Sequence, residues 1–148
     1  MKNILVLGSS GLLGSQLTSG LYFQKYNLIT QSLKSKTDYN LDLGNYNQLS
    51  EMLEKVNPEF IINLVGLTNV DFCEKSPKDA FKINVKKIKN LINVIEKNFL
   101  KAFLIQISTD QIYDDSVVSS ENDINLSNYY SFSKYTGELI AGRINSTI

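Results

Sequence analysis

The chain has 148 residues, about the size of one domain and long enough to bury a core. Fifteen basic and fifteen acidic residues cancel, which leaves no electrostatic case for nucleic acid or an anionic membrane as partner. There is no histidine, which excludes Ser-His-Asp hydrolysis and His-ligated metals, and the single cysteine, Cys73, excludes a disulfide framework.

In chain order, the aliphatic run Ile4 to Leu7 reads as a strand buried on both faces of a parallel sheet. It is too short for a signal segment or a membrane span, and with the lone thiol it points to a cytoplasmic protein. Glycines follow, then Leu12, Leu13, Leu17 and Leu21 at helical spacing. Asn27 to Ser32 is a second strand, and Leu41 to Leu43 a very short apolar stop. Asn45 to Val56 is an amphipathic helix that Asn57-Pro58 ends, because a residue before proline avoids helical backbone. Phe60 to Val65 is a further buried strand. Ser76-Pro77 caps a helix carrying Phe81, Val85, Ile88, Leu91, Ile92 and Ile95 on one face. Phe103 to Ile107 is another strand, Val117 to Ser127 a polar loop, and Tyr129 to Arg143 a helix. Ser146-Thr147-Ile148 reads as the first residues of one more strand. Strands alternating with amphipathic helices predict an α/β fold, a doubly wound (Rossmann) parallel sheet with helices on both faces.

Three sites stand out. Gly8, Gly11 and Gly14 follow the first strand and enter the first helix. Such glycines permit a tight turn, close approach of backbone to a pyrophosphate, and close helix–strand packing, so they predict a dinucleotide cofactor. About 20 residues on, where an acid often holds the adenosine ribose, stand Gln31 and Ser32, with Lys34 and Lys36 nearby. The missing carboxylate and the two lysines lean toward NADP(H) over NAD(H), although both lysines read equally well as solvated loop charges. Tyr130 and Lys134 lie four apart, one helical turn on one face. An ammonium beside a phenol favours the ionised form, which suits proton transfer to a carbonyl oxygen. Neither Tyr129 nor Tyr135 has a basic residue four positions on. Thr109, in Ser108-Thr109-Asp110, follows a buried strand at the end where ligands bind in such sheets. Asp114, Asp115, Glu121 and Asp123 form an acidic cluster that reads as a solvated loop rather than a cation site; no metal site is predicted.

The stretches GSSGLLGSQL, NLVGLTNVDFCE, FKINV, QISTDQIYDD and YYSFSKYTGE, in this order, resemble the motifs of the extended short-chain dehydrogenase/reductase family. Within that family they look most like the dTDP-4-dehydrorhamnose reductase group. The resemblance implies that Thr109, Tyr130 and Lys134 are catalytic, with Lys134 also on the nicotinamide ribose. It implies that Gly11, Leu12 and Leu13 lie over the pyrophosphate and that Asp42-Leu43 meets the adenine. Val65, Gly66 and Leu67 would pass under the cofactor, and Asn84 would support the site from the central helix. The substrate it implies is a 4-keto deoxysugar nucleotide, and a homodimer is compatible. Gln111 stands where the family has an aromatic and Ser131 where it has glycine, and Ser127-Asn128 lacks the usual proline. These departures lie on the sugar side.

Family members continue for about as long again. Residues 1–148 are therefore expected to be an incomplete Rossmann domain, without the substrate domain and with apolar sheet surface uncovered. A nucleotide-binding regulatory subunit, or a reductase or epimerase of another nucleotide sugar, stays open as a second reading.

Overall fold

A computed structural model describes every residue except 21–22, 35, 99–100 and 114–117. Six strands, β1 (Lys2–Leu7), β2 (Tyr26–Ser32), β3 (Tyr39–Asn40), β4 (Phe60–Asn63), β5 (Phe103–Gln106) and β6 (Ser146–Thr147), form one sheet in the order β3-β2-β1-β4-β5-β6. Every pairing is parallel. The helices are α1 (Leu12–Ser19), α2 (Tyr46–Val56), α3 (Val70–Lys75), α4 (Pro77–Phe81), α5 (Lys87–Lys97) and α6 (Tyr129–Ala141). The chain adds strands outward on one side through β3, then returns to the other side of β1 with β4. This reversal opens a crevice at the carboxyl ends of β1 and β4, where ligands bind in doubly wound sheets. Among the described residues, no helix is long and apolar enough to cross a membrane.

Side chains alternate across a strand, so each strand divides its residues between two faces. Leu5, Leu7, Ile61 and Leu104 pack with Leu49, Leu53, Leu91 and Ile92 in one core, under α2 and α5. Each fully buried leucine or isoleucine there stabilises the fold by about 2 kcal/mol. The other face differs. Ile4 and Val6 are buried, but Phe60, Ile62, Phe103 and Ile105 are only half-buried. Continuous apolar runs predict burial on both faces. That holds for β1, in the middle of the sheet, whereas β4 and β5 are sealed on one face only.

Helix ends follow local chemistry. The Asn45 side chain caps α2 by accepting from Gln48 N at 3.3 Å. The helix stops at Asn57, in left-handed backbone with φ 41°, which asparagine tolerates better than most residues. The expected capping by Ser76 differs in detail. Its hydroxyl donates to Asp79 Oδ2 at 2.8 Å rather than receiving a backbone N–H, and Pro77 alone marks the helix start. Helix α3 has only six residues, too few for a periodic signal, yet Asn69 caps it by accepting from Phe72 N at 2.8 Å.

Pro77 to Lys97 is continuous helix interrupted by a π turn at Lys82–Lys86. The turn carries Asn84, which is buried rather than on an exposed helix side. Phe81, placed on the apolar face by its spacing, is more than one-third exposed. In α1 the leucine stripe does not face the core. Leu12 is 89% exposed and Leu13 54%, and the buried residue is Gly14. Leu21, the last of that stripe, lies outside the described residues.

Candidate active site

The first wall of the site is backbone. Gly8, at the end of β1, has φ +77°, a conformation that other residues rarely adopt. Its N–H donates to the Gln31 carbonyl at 3.0 Å and to Gln31 Oε1 at 3.2 Å. A Cβ on Gly14 would lie 2.5 Å from Gly8 O and 2.7 Å from Ser9 Cα, so only glycine lets α1 meet the loop. Gly11 is different. Its backbone is extended (φ −71°, ψ 174°), and a Cβ would meet only Gly8 O, at 3.3 Å. Folding requires a glycine there less than at Gly14, whereas a ligand lying against the backbone would require it as well. The first turn of α1 adds N–H groups with no intrahelical partner. This cradle fits a pyrophosphate.

The second wall is side chains on α6. Asn128 and Ser131 cap the helix reciprocally; Asn128 Oδ1 accepts from Ser131 N at 2.8 Å. Tyr130, Lys134 and Glu138 follow at one-turn intervals and are 6%, 7% and 8% exposed. Lys134 Nζ donates to Ile107 O at 2.6 Å, just past β5. Ser108 Oγ donates to Glu138 Oε1. Burial pushes the Lys134 ammonium below its usual range, opposed by the Glu138 charge. Burial pushes the Glu138 carboxyl up, opposed by the Ser108 hydroxyl and the Lys134 charge.

A second row of α6, Ser133 and Gly137, faces the π turn. A Cβ on Gly137 would lie 2.6 Å from Asn84 O. That close approach lets Asn84 Nδ2 donate to Ser133 Oγ at 2.9 Å and to Leu67 O at 3.0 Å. Asn84 Oδ1 accepts from Leu67 N at 2.7 Å. One buried carboxamide thus joins the π turn, α6 and the loop after β4.

The two walls enclose a cavity of about 350 Å³. Of the candidates from sequence, Gly8, Gly11, Leu12, Leu13, Gly14, Gly66, Tyr130 and Lys134 line it. Leu12 and Leu13, both exposed to solvent, belong to this lining. Thr109 is not among the lining residues. It caps a 3-10 turn at Asp110–Ile112, its Oγ1 accepting from Gln111 N at 3.3 Å, while its neighbour Ser108 lines the cavity.

Asp42, Leu43, Val65 and Leu67 also lie outside the lining. The Leu43 side chain is in the core, so only its backbone is available to a ligand. Asp42 is engaged by Lys87 Nζ at 2.6 Å and by Gly44 N at 2.8 Å. Burial pushes its carboxyl up, but these partners outweigh burial and hold it below the usual range. Gln31 is tied inward. Its side chain is buried, accepting from Gly8 N and donating to Leu41 O at 2.7 Å. Ser32 is buried as well, while Lys34 and Lys36 are exposed. Cys73 is fully buried, and burial, then Glu74, pushes its thiol up. Asp123 accepts from Ser120 N and Oγ, both at 2.8 Å; Asp114 and Asp115 lie outside the described residues.

Residues 1–146 match the family model described as RmlD substrate binding domain. The chain belongs to that family. It is 32% identical over 111 residues to dTDP-4-dehydrorhamnose reductase of Escherichia coli, covering 75% of this chain and 36% of that protein. It is 28% identical over 144 residues to GDP-6-deoxy-D-talose 4-dehydrogenase of Aggregatibacter actinomycetemcomitans, covering 95% and 47%. Its fold superposes on dTDP-4-dehydrorhamnose reductase of Bacillus anthracis, solved with NADP, at TM-score 0.86 and 26% identity, covering 98% of this chain and 51% of that one. The chain thus spans about half or less of the length of these relatives.

Sequence reasoning missed Ser108, Glu138 and Gly137. Their roles depend on which helix meets which strand end, and spacing along the chain does not encode that.

Proposed function

We propose that this chain is the cofactor-binding part of an NADP(H)-dependent reductase of a 4-keto deoxysugar nucleotide, working in the cytoplasm, with the sugar-gripping domain outside residues 1–148. The observation that carries this reading is the placement of Tyr130 and Lys134 opposite the glycine cradle across one cavity. The two curated relatives named above support the position of the chemistry, since both names describe oxidoreduction at C4 of a nucleotide-linked sugar.

In this reading Gly8, Gly11, Leu12, Leu13 and Gly14 receive the pyrophosphate, and Gly66 lies beneath the nicotinamide half. Asp42 and the backbone of Leu43 meet the adenine, and Val65 and Leu67 hold the loop that carries Gly66. The bound cofactor supplies a hydride to the sugar carbonyl carbon. Tyr130 gives its hydroxyl proton to the carbonyl oxygen, so that carbonyl, hydride and proton become an alcohol. Lys134 holds the ribose and favours the phenolate left behind. Thr109, next to the cavity-lining Ser108, would turn its hydroxyl proton from the cap at Asp110–Ile112 to the substrate oxygen. Lys34 and Lys36, exposed beyond β2 with no carboxylate at Gln31 or Ser32, attract a 2′-phosphate and favour NADP(H).

Fluorescence titration with NADPH and NADH tests the cofactor half. Tighter NADPH binding is expected; equal or reversed affinities remove the lysine argument. The substrate half is tested by supplying dTDP-4-dehydrorhamnose and NADPH to the 148-residue chain and to a longer polypeptide that includes it. Turnover is expected from the longer polypeptide alone. Turnover by the short chain places the whole sugar site within it, and NADPH binding without turnover in either leaves a nucleotide-binding subunit.

A further inference from the structure

Lys134 and Glu138 are both almost fully buried, and the protein offers each few polar partners. Lys134 Nζ has the Ile107 carbonyl, and Glu138 Oε1 has the Ser108 hydroxyl. The two bonds reach adjacent residues immediately past β5, from side chains one turn apart on α6. Together they clamp the end of β5 to the helix that carries Tyr130. A buried ammonium without a counter-charge tends to lose its proton.

Among the described residues, other titratable groups nearby do not serve that need: Asp110, past β5, accepts from Thr109 Oγ1 at 3.4 Å. Tyr130 and Tyr135 share the helix. Tyr113, beyond β5, has its phenol pushed up by burial and then by Glu138, Glu121 and Tyr135. On α3, Glu74 accepts from Tyr129 N. On α5, Lys87 is paired with Asp42. The π turn presents the neutral Asn84. Among the described residues, Glu138 is the charge that opposes the effect of burial on Lys134.

We propose that Glu138 is a positioning residue: its carboxylate anchors Ser108 against α6 and is the counter-charge that keeps the buried Lys134 an ammonium. Because Ser108 gives its proton to Glu138, its oxygen lone pairs are what it offers the cavity, so Ser108 receives N–H or O–H donors from whatever binds there. The proposal rests on the cofactor reading for its purpose, but its test is independent of that reading.

The test is the titration of the Lys134 side chain, followed by NMR in protein carrying ¹³C-labelled lysine and assigned by loss of the signal in Lys134→Met. Glu138→Gln keeps an acceptor for Ser108 and removes the charge, so the Lys134 midpoint is expected to fall below wild type. Ser108→Ala keeps the charge and removes the anchor, so its midpoint is expected near wild type. An unchanged midpoint in Glu138→Gln overturns the proposal, as does an equal fall in both variants, which would mark a purely structural tie. Should Glu138→Gln not fold, Glu138→Asp withdraws the charge by one methylene and is expected to shift the midpoint the same way by less; no shift overturns the proposal. NADPH titration of wild type runs beside it. A lowered midpoint without NADPH binding removes the cofactor reading and leaves the counter-charge role of Glu138 standing, and binding with an unshifted midpoint does the reverse.

Discussion

The two walls of the cavity are built on opposite plans. The glycine wall is shaped by missing atoms: Gly8 by its left-handed backbone, Gly14 by a contact that would close to 2.5 Å, and Gly11 by a milder one at 3.3 Å. The α6 wall is shaped by buried functional groups whose charges and protons remain available. The difference separates two kinds of failure. A change in the first wall alters what fits, and a change in the second alters what reacts.

The largest effect is expected from Tyr130→Phe. It removes the proton donor with nearly unchanged volume, so turnover in a reductase-competent polypeptide should fall about 10²–10⁴-fold. NADPH affinity should stay within about threefold, since phosphate binding belongs to the opposite wall. A loss of affinity as large as the loss of turnover would merge the walls. Gly14→Ala comes next. Its methyl would meet rigid backbone at Gly8 and Ser9, and about 3 kcal/mol of destabilisation in urea unfolding is expected despite alanine's better helix propensity.

Gly11→Ala sharpens the contrast within the glycine wall. Stability should fall by about 1 kcal/mol or less, because the backbone there suits alanine while its methyl presses on Gly8 O at 3.3 Å. NADPH affinity should fall about tenfold if the backbone lies against the pyrophosphate. The smallest effect is expected at the rim. The Asp42 carboxyl is held below its usual range, so its contribution to stability is present above pH 3.8 and lost as pH falls through the folded value. Lys87→Ala should remove that acid-side loss in part while costing about 0.5 kcal/mol at neutral pH, because solvent reaches the Asp42 side of the pair and screens it.

The walls also differ in how far the sequence reveals them. Gly8 and Gly14 are legible because their constraint is local: a strand, a turn and a helix start within a few residues of one another. Tyr130 and Lys134 are legible because helix geometry alone places them on one face. Gln31 was misplaced because its neighbours in sequence do not reveal that its carboxamide turns inward to Gly8. Leu12 and Leu13 fit a helical core stripe, but α1 meets the loop through Gly14 and leaves them outside. Ser108 and Thr109 are adjacent hydroxyls after the same strand. Only the packing of α6 on β5 brings Ser108 to the cavity and leaves Thr109 capping a turn.

The sequence by itself determined the strand-helix alternation, the glycine turn, the Tyr130–Lys134 register and the strand at Ser146-Thr147, because each rests on contacts between near neighbours or on simple periodicity. Tertiary structure alone decided the buried Glu138–Ser108 bond, the Asn84 bridge through the π turn, the glycine required at Gly137, and the half-open face of β4 and β5. Those features depend on residues 17 to 53 positions apart meeting at van der Waals or hydrogen-bond distance. No pattern along the chain specifies which distant surfaces will meet.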